Sequence, residues 1–207
     1  KLNFLTSICT NCYLLDEPMI KKLADSGLHF IALSLDSLIP EKHNYFRGIK
    51  NSQQKVLEAI SCLENYKEIE IGLRTIISQY NIEDVIDLVY FIKEKNPLKH
   101  IDFQAISRPA RTARDDQWYL REETKWLWPR DEKELQLLNT VFDKLILLKK
   151  EGFPISNSEL QLNAFKNYFN KPTMCQYHRM YLPTGLSLRG LKGRSNLVAR
   201  ALRLLRR

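Results

Sequence analysis

TNCYLLDEPMIKKLADSGLHFIALSLDS, residues 10–37, decides the fold of this chain. It opens on a polar turn, Thr10-Asn11-Cys12, which closes the apolar, β-branched run 2–9. Asp16 then offers an N-cap to a helix over 17–24, where Met19, Ile20, Leu23 and Ala24 recur at helical spacing and Gly27 follows as a stop. A second apolar run, HFIALSL at 29–35, ends at Asp36-Ser37. Strand, helix and strand thus follow one another with short, almost wholly apolar strands. Such strands predict a parallel sheet covered on both faces.

The alternation continues downstream. Asn51 or Ser52 can cap a helix running to Leu63, with Val56, Leu57, Ile60 and Leu63 on one face. Residues 69–77 read as a strand, 82–95 as a helix and 101–106 as a strand that ends at Ser107-Arg108-Pro109. Periodicity here fits an open doubly wound sheet and a TIM-type barrel equally. Residues 110–130 break the pattern: they hold all three tryptophans and no clean period, and read as a long loop or irregular lid. Residues 131–151 form an amphipathic helix with Leu135, Leu138, Val141, Phe142, Leu145 and Ile146 on one face and Gly152 as its stop. A last helix is expected over 156–168, capped by Ser156 or Asn157, and irregular sequence from Pro172.

The net charge of +8 is not spread evenly. All 24 acidic residues lie between Asp16 and Glu159, against 22 basic residues up to that point, and the remaining 10 basic residues follow with no acid among them. The body is therefore near neutral, which argues against a nucleic-acid partner. No apolar run approaches the roughly 18 residues of a membrane span, so no membrane partner is expected. The opening residues show no leader pattern, and Cys9, Cys12, Cys62 and Cys175 are too unevenly spaced for a disulfide framework. A cytoplasmic location is the expectation.

In parallel α/β folds ligands bind beyond the C-terminal strand ends. Here those ends carry Thr10-Asn11-Cys12, Ser34-Leu35-Asp36-Ser37, Arg74 with Asn81 beyond it, and Gln104 followed by Arg108. These groups suit a ribose, a base edge and an amino-acid carboxylate, and include no nucleophile with an adjacent base. A bound cofactor fits better than hydrolysis. Structural readings stand beside this one: Thr10, Asn11 and Asp36 as turn or cap residues, Ser34 as a core filler, Arg74 paired with Glu70. Cys9-x2-Cys12 lacks the second pair that zinc requires, and Cys62 lies on an apolar helix face. His29, His43 and His100 are isolated, which makes a surface or loop role the default for each.

Thr10-Asn11-Cys12, Ser34-Leu35-Asp36-Ser37 and PEKHNYFRGIKNSQQKVLEAI at 40–60 resemble, in order and spacing, a motif series of the radical S-adenosylmethionine (radical SAM) enzymes. In that family a T-N-G ends the third barrel strand, an S-L-D-[SG] the fourth, and a D/E-x-H-[DN]-x-x-R-G leads into the next helix. The resemblance implies a partial TIM-type (β/α) barrel of parallel strands with a C-terminal helical extension. It implies S-adenosylmethionine and a [4Fe–4S] cluster as cofactors, radical chemistry on a peptide or small-molecule substrate, and an external electron donor. Ser34 and Asp36 would lie near the ribose or methionyl part, Arg47 would meet the carboxylate, Thr10 and Asn11 would line the cavity, and Gln104 would face substrate or adenine. The family's C-x3-C-x2-C motif is absent from this sequence, and Cys12 stands where the family has glycine. The chain is accordingly expected to start at the third strand and to be inactive as given.

Cys175 in MCQYHRMYL resembles the first cysteine of a SPASM-type extension, which holds auxiliary clusters. The expected organisation is a partial barrel over 1–109, a Trp/Arg-rich substrate-facing loop over 110–130, a helical segment over 131–172, and a SPASM-like start over 173–207 running into a basic, non-native tail. Two rival readings are another α/β-barrel enzyme of lyase or aldolase type, needing a strand-end lysine or carboxylate pair, and a non-enzymatic module binding through the basic tail.

Overall fold

The computed structural model describes residues 4–108 and 117–171. Four strands, β1 (Ser7–Thr10), β2 (Phe30–Ser34), β3 (Glu70–Ile77) and β4 (Leu98–Ala105), form one parallel sheet in the order β1-β2-β3-β4. Strand order never reverses, so right-handed crossovers place every connecting helix on the same side. That geometry matches an arc of a (β/α) barrel, and the reversal of a doubly wound sheet does not occur among the described residues.

Helix α1 (Glu17–Asp25) starts as its sequence predicts: Asp16 Oδ1 accepts the Met19 N–H at 2.9 Å, and Pro18 occupies the first turn. Helix α2 (Pro40–Arg47) has no periodic apolar face, so its residues gave no helix signal. It forms because a proline opens it and Gly48, at φ 65°, closes it with a left-handed residue. Helices α3 (Ser52–Leu63) and α4 (Val85–Glu94) follow, α4 entered through one 3-10 turn over Ile82–Asp84. Asn51 precedes α3 in the left-handed region and its side chain does not cap the helix; Asn44 Oδ1 instead accepts the first-turn N–H of Gln53 at 3.0 Å.

Alternation along the strands separates two faces. One carries Ile31, Leu33, Ile71, Leu73, Thr75, Ile101 and Phe103, all almost completely buried. It shares a continuous core with Ile20, Val56, Ile60, Leu63, Leu88 and Ile92 of the helices. The other face carries Cys9, Ser34, Arg74, Ile76, His100, Asp102 and Gln104, most of them partly exposed. The expectation of a sheet covered on both faces is therefore corrected. Among the described residues helices cover one face only, because the arc turns its other face toward the barrel interior.

Helix α5 (Glu132–Lys150) packs on α4, and α6 (Glu159–Asn170) packs on α5. Between α5 and α6 the chain returns to the sheet beside β4. The Ile101 N–H donates to the Pro154 carbonyl at 2.9 Å, and the Ser156 N–H donates to the Ile101 carbonyl at 2.8 Å. Asn157 then replaces the next backbone pair with its side chain: Oδ1 accepts the Phe103 N–H at 2.7 Å and Nδ2 donates to the Phe103 carbonyl at 2.9 Å. The cap of α6 is consequently neither Ser156 nor Asn157. It is Ser158, whose hydroxyl accepts the Gln161 N–H.

In the described part of the Trp-rich segment two of the three tryptophans pack inward. Trp118 and Trp128 are buried, packed edge-to-face at 5.7 Å, and Trp128 meets Tyr168 of α6 edge-to-face and Phe169 at a tilt. Trp126 alone stays partly exposed, in a ring cluster with Tyr45, Phe46 and Tyr80. Cys175 and the basic tail lie outside the described residues. No helix among the described residues is long and apolar enough to cross a membrane.

Candidate cofactor-binding site at the strand ends

The site is built outward from Asp36. β2 stops at Ser34 and the next turn carries Asp36 completely into the interior, where a bare carboxylate would be prohibitive. Each of its polar atoms is met. Oδ2 accepts from Arg47 Nε at 2.5 Å, and Oδ1 accepts the Ile76 N–H at 2.9 Å. Its carbonyl accepts from Asn81 Nδ2 at 2.8 Å, and its N–H donates to His43 Nδ1 at 3.1 Å. Burial raises the Asp36 carboxyl above its ordinary range, while the Arg47 guanidinium and the Ile76 N–H oppose that rise.

His43 is the residue that the sequence placed wrongly. Its isolation suggested a surface role, yet the side chain is fully buried under the β2 end. Nδ1 accepts from the Asp36 amide, so the ring proton sits on Nε2, facing the Ser52 hydroxyl at 3.2 Å. Burial, reinforced by the nearby Arg47 charge, lowers its pKa to about 4 and keeps the ring neutral. The signal was present as the histidine of PEKHNYFRG. Asn81 is likewise buried, and its Oδ1 accepts from both the N–H and the hydroxyl of Ser78, which closes the turn after β3.

This network holds Arg47 by Nε. Its side chain stays one-fifth exposed, and its terminal Nη groups have no protein partner among the described residues. A guanidinium fixed along one edge with its fork open is suited to a ligand carboxylate. One strand across, Ser34, Arg74 and Asp102 lie in a single row on the same sheet face, and Gln104 lies in the next row beside Ile76. Arg74 Nε donates to Asp102 Oδ2 at 3.1 Å, not to Glu70, which instead lies 3.3 Å from His100.

Thr10 and Asn11 serve the turn. Thr10 Oγ1 accepts the Cys12 N–H at 3.0 Å, and Asn11 Oδ1 accepts the Tyr13 N–H at 3.2 Å. Thr10 pairs in register with Leu33 and so lies on the helix-covered side, whereas Cys9 lies on the open face, its sulfur 3.8 Å from the Ser34 hydroxyl. Cys12 holds φ 63°, the left-handed geometry for which the family has glycine. Its thiol is buried and pushed up to about 12, chiefly by desolvation, and supplies no thiolate ligand at neutral pH. No group of three or more potential metal ligands exists among the described residues. They therefore do not fit a [4Fe–4S] cluster.

No family model matches the chain. Two curated proteins of Methanosarcina barkeri (strain Fusaro / DSM 804) are similar to it. One is Fe-coproporphyrin III synthase, 28% identical over 148 residues, or 71% of this chain and 34% of that protein. The other is AdoMet-dependent heme synthase, 26% identical over 87 residues, or 42% of this chain and 25% of that protein. The chain thus spans about a third or less of the curated relatives it matches. Native anSMEcpe with bound AdoMet and Kp18Cys peptide shares the fold at a TM-score of 0.54 and 22% identity, over 75% of this chain and 41% of that one.

An arc of parallel (β/α) barrel with a polar strand-end shelf is the class that fold and site define. In its ordered motifs the chain is similar to these curated relatives, and in its fold to the AdoMet-bound structure.

Proposed function

We propose that this chain contributes the S-adenosylmethionine-facing arc of a radical SAM enzyme that acts on a peptide or small-molecule substrate. The observation that carries the reading is the Asp36–Arg47 pair: a buried carboxylate, held by the Ile76 N–H and Arg47 Nε, that presents an open guanidinium fork at the strand ends. Arg47 would bind the methionyl carboxylate, Ser34 and Asp36 the ribose or methionyl part, and Gln104 the adenine or the substrate. Thr10 and Asn11 would shape the rim through the turn they close. When bound, S-adenosylmethionine supplies the 5′-deoxyadenosyl group whose radical takes hydrogen from substrate. The residues of this chain bind and orient it.

The cluster ligands, the electron donor and any auxiliary-cluster role of Cys175 belong to the same proposal. An aldolase-like reading has less support, since among the described residues the open face carries no strand lysine and each of its aspartates is paired with an arginine. The names of the curated relatives favour a tetrapyrrole as the small molecule.

S-adenosylhomocysteine carries the same carboxylate, ribose and adenine, and its binding is measurable without a cluster. Equilibrium dialysis should show R47A weakening it about tenfold or more, roughly the 1.4 kcal/mol of one lost charge-assisted contact. Equal affinity in wild type and R47A sinks this placement of the cofactor.

A further inference from the structure

The open sheet face carries a second anchored guanidinium. Arg74 sits in the middle of β3, in register with Ser34 on one side and Asp102 on the other. Placing an arginine inside a barrel-type sheet is unfavourable unless something there uses it. Asp102 holds its Nε at 3.1 Å, and Asp102 is itself held by Asn157 Nδ2 at 3.2 Å, with Asn157 completely buried. The direction of the guanidinium is therefore set by two further elements of the fold.

An arginine has five N–H donors, and this arrangement engages the one on Nε. The Nη groups have no protein partner among the described residues, and the side chain remains 35% exposed. Below this row the face carries Ala32, Gly72 and His100, and then Phe30 and Glu70, whose carboxylate lies 3.3 Å from the His100 ring. Gly72 lets the His100 ring cross over its Cα, where a Cβ would lie 2.7 Å from Nε2, and the ring stacks on Phe30 at 5.0 Å. A cation held above a stacked aromatic floor is a site for an anionic group on a largely apolar body. Arg47 cannot serve that group while it holds the cofactor carboxylate.

We infer that Arg74 is a specificity-determining residue that binds a carboxylate of the substrate, with the Phe30–His100 stack as the floor beneath it. The inference rests on the cofactor reading given above. A tetrapyrrole propionate and an acidic side chain of a peptide present the same chemistry to Arg74.

Two titrations of the full chain distinguish these sources and test the idea. One follows the fluorescence of coproporphyrin III against its tetramethyl ester. The other follows a dye-labelled pentapeptide, Gly-Ala-Glu-Ala-Gly, against its glutamine counterpart. At least one carboxylate probe should bind tenfold or more tighter than its neutral partner. R74Q should remove that preference, R74K should keep part of it, and S-adenosylhomocysteine affinity should stay unchanged in both. The ester and glutamine comparisons need no variant, so they stand even if a substitution impairs folding. No carboxylate preference in wild type, or a preference that survives R74Q, overturns the inference. Absence of S-adenosylhomocysteine binding in wild type overturns the cofactor reading instead.

Discussion

At the scale of single residues, His43 decides how firmly the Asp36–Arg47 pair is held. Its ring is neutral in the fold down to about pH 4, whereas an unfolded chain protonates histidine near 6.5. Lowering pH through that window therefore adds a proton to the unfolded state alone. Stability from this group is complete above about 6.5, falls progressively toward 4 and changes no further below it. The loss amounts to about 3 kcal/mol, at roughly 1.4 kcal/mol for each pH unit that separates the folded and unfolded titrations. Urea denaturation of wild type and H43N between pH 7 and 4 should show that H43N loses less of its stability. Asparagine keeps an acceptor for the Asp36 amide but cannot titrate. Parallel pH profiles for the two proteins would refute the assignment.

Among the elements, the return segment beside β4 shows how three adjacent polar residues divide their work. Ser158 caps α6, and S158A should cost about 1 kcal/mol. Asn157 satisfies both backbone groups of Phe103 in the core, so N157A should cost more, about 2–3 kcal/mol, by stranding a buried donor and acceptor. The Ser156 hydroxyl is buried without a hydrogen-bond partner among the described residues, and S156A should be neutral or slightly stabilising. Thermal denaturation should rank the three as N157A, S158A, S156A in decreasing damage. A Ser156 variant as damaging as S158A would contradict the observed cap.

For the whole molecule, the two buried tryptophans join the last helix to the sheet unit. Trp128 lies among Trp118, Tyr119, Tyr168 and Phe169, and one core runs from Cys12 to Phe169. W128A should cost about 3–5 kcal/mol through the cavity it opens, and W126A far less, since Trp126 remains partly exposed. Chemical denaturation monitored by far-UV circular dichroism measures both. Similar losses for the two would mean that the segment does not pack as described. An irregular segment has no period to read, and that is why the burial of Trp118 and Trp128 was not legible in the sequence.

Local signals sufficed wherever local chemistry governs. The apolar runs specified four strands, Asp16 specified the start of α1, and the strand-end motifs carried the family resemblance. Asp36 and Arg47, eleven positions apart, were legible as a pair only through that resemblance. Tertiary structure decided what depends on distant partners. His43 is a buried acceptor because β2 and α3 close over it. Asn157 acts as a strand residue because β4 offers it a free amide and carbonyl. Arg74 turns to Asp102 in place of Glu70 because parallel pairing sets those two side by side. Barrel and open sheet share one hydrophobic period, so strand order alone separates them.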